Sequence, residues 1–414
     1  MTTEWPTSSM WPLILAALLL CGCAQSIATP AANTPSIGGG SGTAVTGPSE
    51  TKARAVKIAL LLPMSGIGEP AQIARGMKQA SEMALFEADN PAIQLIAKDD
   101  GGTTAGAMAA ADAAISEGAE IILGPLFAKS VTGAATAATK TSTPVIAFSN
   151  DPAVAGRGVY LMSFMASEEV SRVVSFAASR GKRRFGALIP QTDYGKSLEA
   201  PFRHAVIGAG GEIVQLESYA SDSMSMLAAA KRVFATVSEA EKAGRPVDAL
   251  FVPGGQETIA QLGPLLAYSG IDTRKTKLIG TSAWDVPVIS RDEQLIGGWY
   301  AASDPDAWTA FSDKFRKTFG TAPPRLASLS YDAMTMAISL AALPGPERYT
   351  AANLTRLSGF PGVDGTVRFK PDGLPERGLA VLEIEKYRSV VIDAAPRDAA
   401  TARVSSAEST VKAF

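Results

Sequence analysis

The chain has 414 residues, 46% of them hydrophobic and 19% charged, which describes a globular protein with a large core and room for two or three domains. A formal charge of −2, with no basic stripe carrying interleaved aromatics, gives no argument for a nucleic-acid partner. One histidine and two cysteines remove most metal sites and most histidine-based catalysis, so neither metal, cofactor nor enzymatic constellation is expected.

Trp11 to Leu20 is an apolar run too short to cross a bilayer as a mature helix but suited to the core of a signal peptide. It runs into Leu20-Cys21-Gly22-Cys23, which resembles a bacterial lipoprotein signal, although the leading residues carry Glu4 and no Lys or Arg. Cleavage before Cys23 would make residues 1–22 the signal and Cys23 the lipid-bearing residue. Ala24 behind it resembles the pattern of lipoproteins sorted to an outer membrane. Residues 23–54, rich in Ala, Thr, Ser, Gly and Pro, read as a flexible tether.

Ala55 to Pro63 is the first core strand and opens onto Met64-Ser65-Gly66. A helix with Ile73, Met77, Ala80 and Ala84 on one stripe follows, then a strand over Ile93 to Ala97 and an alanine-rich helix from Thr104. Glu120 to Leu123 and Val145 to Phe148 are short buried strands around a helix bearing Val131, Ala134, Ala135 and Ala138. Such a unit pairs its strands in parallel, and open parallel sheets bind ligands beyond their carboxyl ends. Those ends carry Leu126-Phe127-Ala128-Lys129-Ser130 and Ser149-Asn150-Asp151. Gly66-x-Gly68-x-x-Ala71 loosely fits a dinucleotide fingerprint, but tight turning explains it better. After Phe164 the strand–helix alternation restarts, with Arg184 to Ile189, Glu212 to Leu216, Ala249 to Pro253 and Lys277 to Gly280 as strands. Gly297 to Ala302 is expected to cross back to the first lobe. Gly362 to Phe369 and Leu379 to Ile384 read as a hairpin around Pro371-Asp372-Gly373.

The fold class is α/β: two doubly wound lobes joined by two or more crossings. Lobe 1 is expected over 55–165 and 303–344, lobe 2 over 166–302 and 345–392, with a loose tail over 393–414.

The strand followed by PMSG, the GP turn with its Ser-bearing loop, PVIAFSN, TDYGKSL, LIGTSAW, LSYDA and GTVRFKPDG resemble, in that order, the type I periplasmic-binding superfamily, the leucine-binding protein family. The likeness covers roughly Ala55 to Tyr387. Within it, IILGPLFAKSV, YLMSF and LIPQTDYG are similar to the lipoproteins that activate penicillin-binding proteins. The resemblance implies a non-catalytic protein that holds a ligand between its lobes. It implies contacts from the loops bearing Ser65, Phe127, Lys129 and Ser130, from Ser149 and Asn150, from Tyr194, and from Gln256 and Trp284 in the second lobe. Two departures stand out. Lys129 occupies a place where a small hydroxyl is usual and suits an anion, and no Glu lies near Ser282, where Asp285 is the substitute. Lys129 also reads as a surface lysine, Ser149 and Asn150 as loop caps, and Tyr194 as packing at the lobe edge.

The function expected is a lipid-anchored periplasmic protein, sorted to the outer membrane, that regulates peptidoglycan synthesis by docking onto a synthase. The alternative is the substrate-binding protein of an ABC-type transporter working with a permease. In either case the ligand is a small polar or anionic molecule, an amino acid or a cell-wall fragment, and the membrane is reached through the lipid anchor.

Overall fold

A computed structural model describes residues 55–396; the signal, Cys23, the tether and the tail beyond Pro396 lie outside the described residues. The first sheet forms from β1 (Val56–Leu62), β2 (Ile93–Asp99), β3 (Ile121–Leu123), β4 (Val145–Ala147) and β5 (Val159–Leu161), in the order β2-β1-β3-β4-β5 and parallel throughout. β1 is VKIALLL, an almost unbroken apolar run, as a strand covered on both faces requires. The helices that cover it are α1 (Glu69–Ala88), α2 (Thr104–Ser116) and α3 (Ala128–Thr139). α2 and α3 approach closely because their contact is made of alanine and glycine. A Cβ on Gly133 would sit 2.0 Å from the Thr104 carbonyl oxygen, so no larger residue fits there.

The second sheet takes β6 (Arg184–Pro190), β7 (Glu212–Tyr219), β8 (Ala249–Phe251), β9 (Lys277–Gly280) and β10 (Trp299–Ala302). They interleave with α4 (Ala166–Ser179), α5 (Asp193–Gly208), α6 (Ser223–Lys242) and α7 (Gln256–Tyr268). Its parallel part runs β7-β6-β8-β9-β10, repeating the connectivity of the first sheet. Two further strands close its far edge.

The chain then returns. α8 (Pro305–Phe319) and α9 (Ala327–Ala341) pack on α1, with Phe311, Phe315 and Ala327 buried against Ala80 and Met83. Tyr349, Leu354 from the short α10 (Ala351–Leu354), Phe360, Val367 and Phe369 all enter the core beneath the first sheet. This corrects the placement of 345–392 in the second lobe: residues up to Arg377 belong to the first, because their apolar side chains bury there.

The expected hairpin is corrected as well. β11 (Val367–Phe369) pairs with β12 (Pro375–Arg377), and the next strand, β13 (Ala380–Glu385), leaves for the second sheet. There it pairs antiparallel with β10 and with β14 (Arg388–Asp393). Nor does 297–302 cross back; β10 stays in the second sheet beside β9. Among the described residues the chain passes between lobes in three places: β5 to α4, β10 to α8, and β12 to β13. Among the described residues no helix is long and apolar enough to cross a membrane.

Candidate functional site

Each sheet reverses its winding at one position, between β1 and β3 in the first and between β6 and β8 in the second. Loops that leave adjacent strands in opposite directions open a crevice at such a point. In the first lobe, the turn after β1 exposes Ser65, and the Asp99 carboxylate ties it to the next turn by accepting from the amides of Met64 (2.9 Å) and Gly101 (3.0 Å). Partial burial works to raise the Asp99 pKa, but hydrogen bonds from Ser65 and these amides outweigh it and hold the carboxyl below its ordinary value. The Phe127 ring lies against Gly102, where an added Cβ would be 3.3 Å from it and 3.6 Å from Pro63 just past the end of β1.

Lys129 stands exposed in the first turn of α3, a helix whose leading amides have no side-chain cap. Asn150 is exposed beyond β4. Two expected contacts are turned away from solvent. Ser130 is buried and its hydroxyl donates to the Thr103 carbonyl, sealing α2 to α3. Ser149 is also buried and accepts the Asp151 amide at 3.2 Å, which makes it a turn residue.

In the second lobe Tyr194, 37% exposed as a residue, turns its hydroxyl inward to Thr281 at 2.8 Å. Burial of that end pushes its pKa up to about 12. Gln256 opens α7. Trp284 is a correction: it is buried and its indole donates to the Val252 carbonyl at 3.1 Å. The ring lies so flat on β9 that a Cβ at Gly280 would come within 2.3 Å. Asp285, the expected substitute acid, is instead held by the Tyr300 hydroxyl at 3.0 Å.

The acid beside Ser282 comes from elsewhere. Glu169, in the first turn of α4, accepts from the Ser282 amide at 2.9 Å and the Ser282 hydroxyl at 2.7 Å. Burial raises its pKa to about 7, against the opposing pull of Ser282 and of the Arg325 charge from the first lobe. Sequence reading missed it because Glu168-Glu169 at a helix start looks like ordinary pairing with the helix dipole.

Arg325 is the second missed residue. Its guanidinium lies 4.5 Å from the centre of the Phe164 ring and 4.4 Å from that of Trp308, and it forks onto Asp364 at 2.5 and 3.1 Å. Burial works to raise the Asp364 pKa, and the fork outweighs it and holds the carboxyl down. Arg377, fully enclosed, stands 5.2 Å over Phe164 and 3.8 Å from Asp332. Burial pushes Asp332 up to about 7, with Arg377 pulling it back and Asp364 pushing further. Phe164 lies in the first crossing, Trp308 just past the second, and Arg377 opens the third. Two arginines thus clasp all three connections against two aspartates.

Two doubly wound lobes, three connections and polar groups converging at the switch points define a two-lobed substrate-binding protein. The periplasmic binding protein family model matches residues 55–388, and the chain belongs to that family. It is a family of periplasmic, substrate-binding proteins rather than catalysts.

Solved structures share the fold. A candidate branched-chain amino acid ABC transporter protein of Rhodospirillum rubrum superposes with a TM-score of 0.69 at 18% identity, over 82% of this chain and 100% of that one. A substrate-binding protein of Desulfitobacterium hafniense in complex with Leu gives 0.57 at 18%, over 82% and 100%. A solute-binding protein of Rhodopseudomonas palustris in complex with 3,4-dihydroxybenzoic acid gives 0.53 at 19%, over 83% and 99%. An uncharacterised protein of Rickettsia prowazekii is 22% identical over 234 residues, 56% of this chain and 61% of that protein's length.

Proposed function

We propose that the chain is the substrate-binding protein of an ABC-type transporter and holds a small zwitterionic solute, an amino acid or a close analogue, between its lobes. Glu169 carries the reading. A ligand ammonium buried without an opposing acid would be costly, and the sequence around Ser282 offers none. Glu169 supplies that acid, oriented by two hydrogen bonds from Ser282. The ligand carboxylate finds positive charge on the other side, from Lys129 and the uncapped amides of α3. The ligands named for the structural relatives, leucine and a benzoic acid, both carry a carboxylate.

The second output, docking onto a peptidoglycan synthase, draws on the lipoprotein-like Leu20–Cys23 run and on Ala24, which favour a protein anchored at Cys23 and sorted to the outer membrane. Calorimetric titration with amino acids and cell-wall fragments separates the two. Micromolar binding that collapses in Glu169→Gln supports capture for transport. Absence of binding, with stimulation of a purified synthase, overturns it in favour of docking. Anchoring is tested apart from both: Cys23→Ser should move the protein from the membrane fraction to the soluble one or leave an uncleaved precursor.

A further inference from the structure

We propose that a groove at the opposite end of the first lobe is a second binding site, for an amphipathic monocarboxylate. The groove measures ≈ 660 Å³ and lies between the last turn of α3, the starts of β4 and β5, and the 345–351 segment. Small-molecule pockets span about 300–1,000 Å³. The crevice sits at the carboxyl ends of these strands and the groove at their amino ends, so one cannot be an extension of the other.

Its chemistry is specific in sign. Glu120, the acid in its wall, is already neutralised by Arg348, which donates to both carboxylate oxygens at 3.2 and 3.0 Å. The Thr141 and Thr143 hydroxyls hold each other at 2.9 Å. What remains is positive and donating. Arg157 has no ion pair or hydrogen bond among the described residues. Tyr160, three residues on, is 5% exposed, and its hydroxyl likewise has no partner among them.

Tyr160 lines the groove, and a phenol hydroxyl without a protein partner there is an open donor for an acceptor. One uncommitted guanidinium and one phenol complement a single carboxylate, which Arg grips in a planar fork. The other walls are apolar, from Ala138, Pro144, Val145, Val159 and the ring of Tyr349, and suit a short hydrocarbon or aromatic body.

The test is titration of sodium octanoate into the full chain, followed by calorimetry and by the methyl resonances of Ala138, Val145 and Val159. Saturable binding should shift these methyls. Arg157→Ala should weaken it about tenfold, Tyr160→Phe about threefold to tenfold, and octan-1-ol should bind about tenfold more weakly than octanoate. Tyr160→Phe keeps the ring, and Arg157 is exposed, so both variants should fold. Glu169→Gln, in the crevice, should leave octanoate affinity unchanged whether or not it abolishes capture of an amino acid. No saturable binding overturns the proposal. So does binding that survives both groove variants, or that is lost in Glu169→Gln.

Discussion

The two lobes wind their parallel strands in the same order, yet they present different chemistry at the crevice. The first lobe offers turn backbone, exposed Ser65 and Asn150, and the uncapped start of α3 beside Lys129. The second offers a half-buried cluster of Glu169, Ser282, Thr281 and Tyr194, assembled from segments 87 to 113 residues apart. Repetition of connectivity therefore repeats where a site can be, and the side chains that reach it set its polarity. In the proposed function the first face takes the carboxylate of a zwitterion and the second its ammonium.

The largest perturbation should fall on the clasp that ties the lobes together. Asp332→Ala removes one of the two acids that face the enclosed Arg377 and leaves it only Asp364; breaking such a buried pair costs about 3–5 kcal/mol. Urea unfolding measures it; a loss below about 1 kcal/mol would show that the arginines do not depend on their aspartates. Next is the cation-attracting face. Glu169→Gln should weaken an amino-acid ligand tenfold to a hundredfold, since hydrogen bonds to charged groups are worth about 1.5–3 kcal/mol. Its effect on stability without ligand should be small.

Titration sharpens the same contrast. Glu169 and Asp332 both have folded pKa values raised to about 7 above ordinary values of 4.5 and 3.8. The folded state then holds protons that the unfolded chain has released, so stability of the ligand-free protein falls as pH rises through about 4 to 7. Ligand affinity should move the other way, falling as pH drops below about 7 and Glu169 loses its charge. A melting temperature flat from pH 4.5 to 7.5 would contradict the first half, and pH-independent binding the second.

On the anion-attracting face, Lys129→Ala should cost about tenfold in affinity, because backbone amides share the work there. Ser149→Ala should cost less, its hydroxyl being committed to the turn. The smallest change should be Tyr194→Phe, which deletes one neutral hydrogen bond to Thr281, worth about 0.5–1.5 kcal/mol or a few-fold in Kd. If Tyr194→Phe outweighs Glu169→Gln, the assignment of charge to the two faces is wrong.

The sequence by itself determined the framework. Buried runs such as VKIALLL and IIL, and helices with stripes of small residues, leave little choice but parallel sheets covered on both faces, since period and composition are local properties. The loops carrying Lys129, Asn150 and Tyr194 were legible for the same reason: topology sends strand ends to the crevice. What only the tertiary structure decided is which side chains meet. Trp284 and Ser130 sit on those very loops but turn inward, because a large indole gains more from burial under Gly280 and Gly298 than from solvent, and because α2 and α3 close over the serine. Glu169 reaches Ser282 across more than a hundred residues, and Arg325 and Arg377 gather three crossings that no local pattern connects. The return of 345–377 to the first lobe is of the same kind. Its apolar residues are legible as a core, but which core they fill depends on where the chain has already placed its uncovered faces.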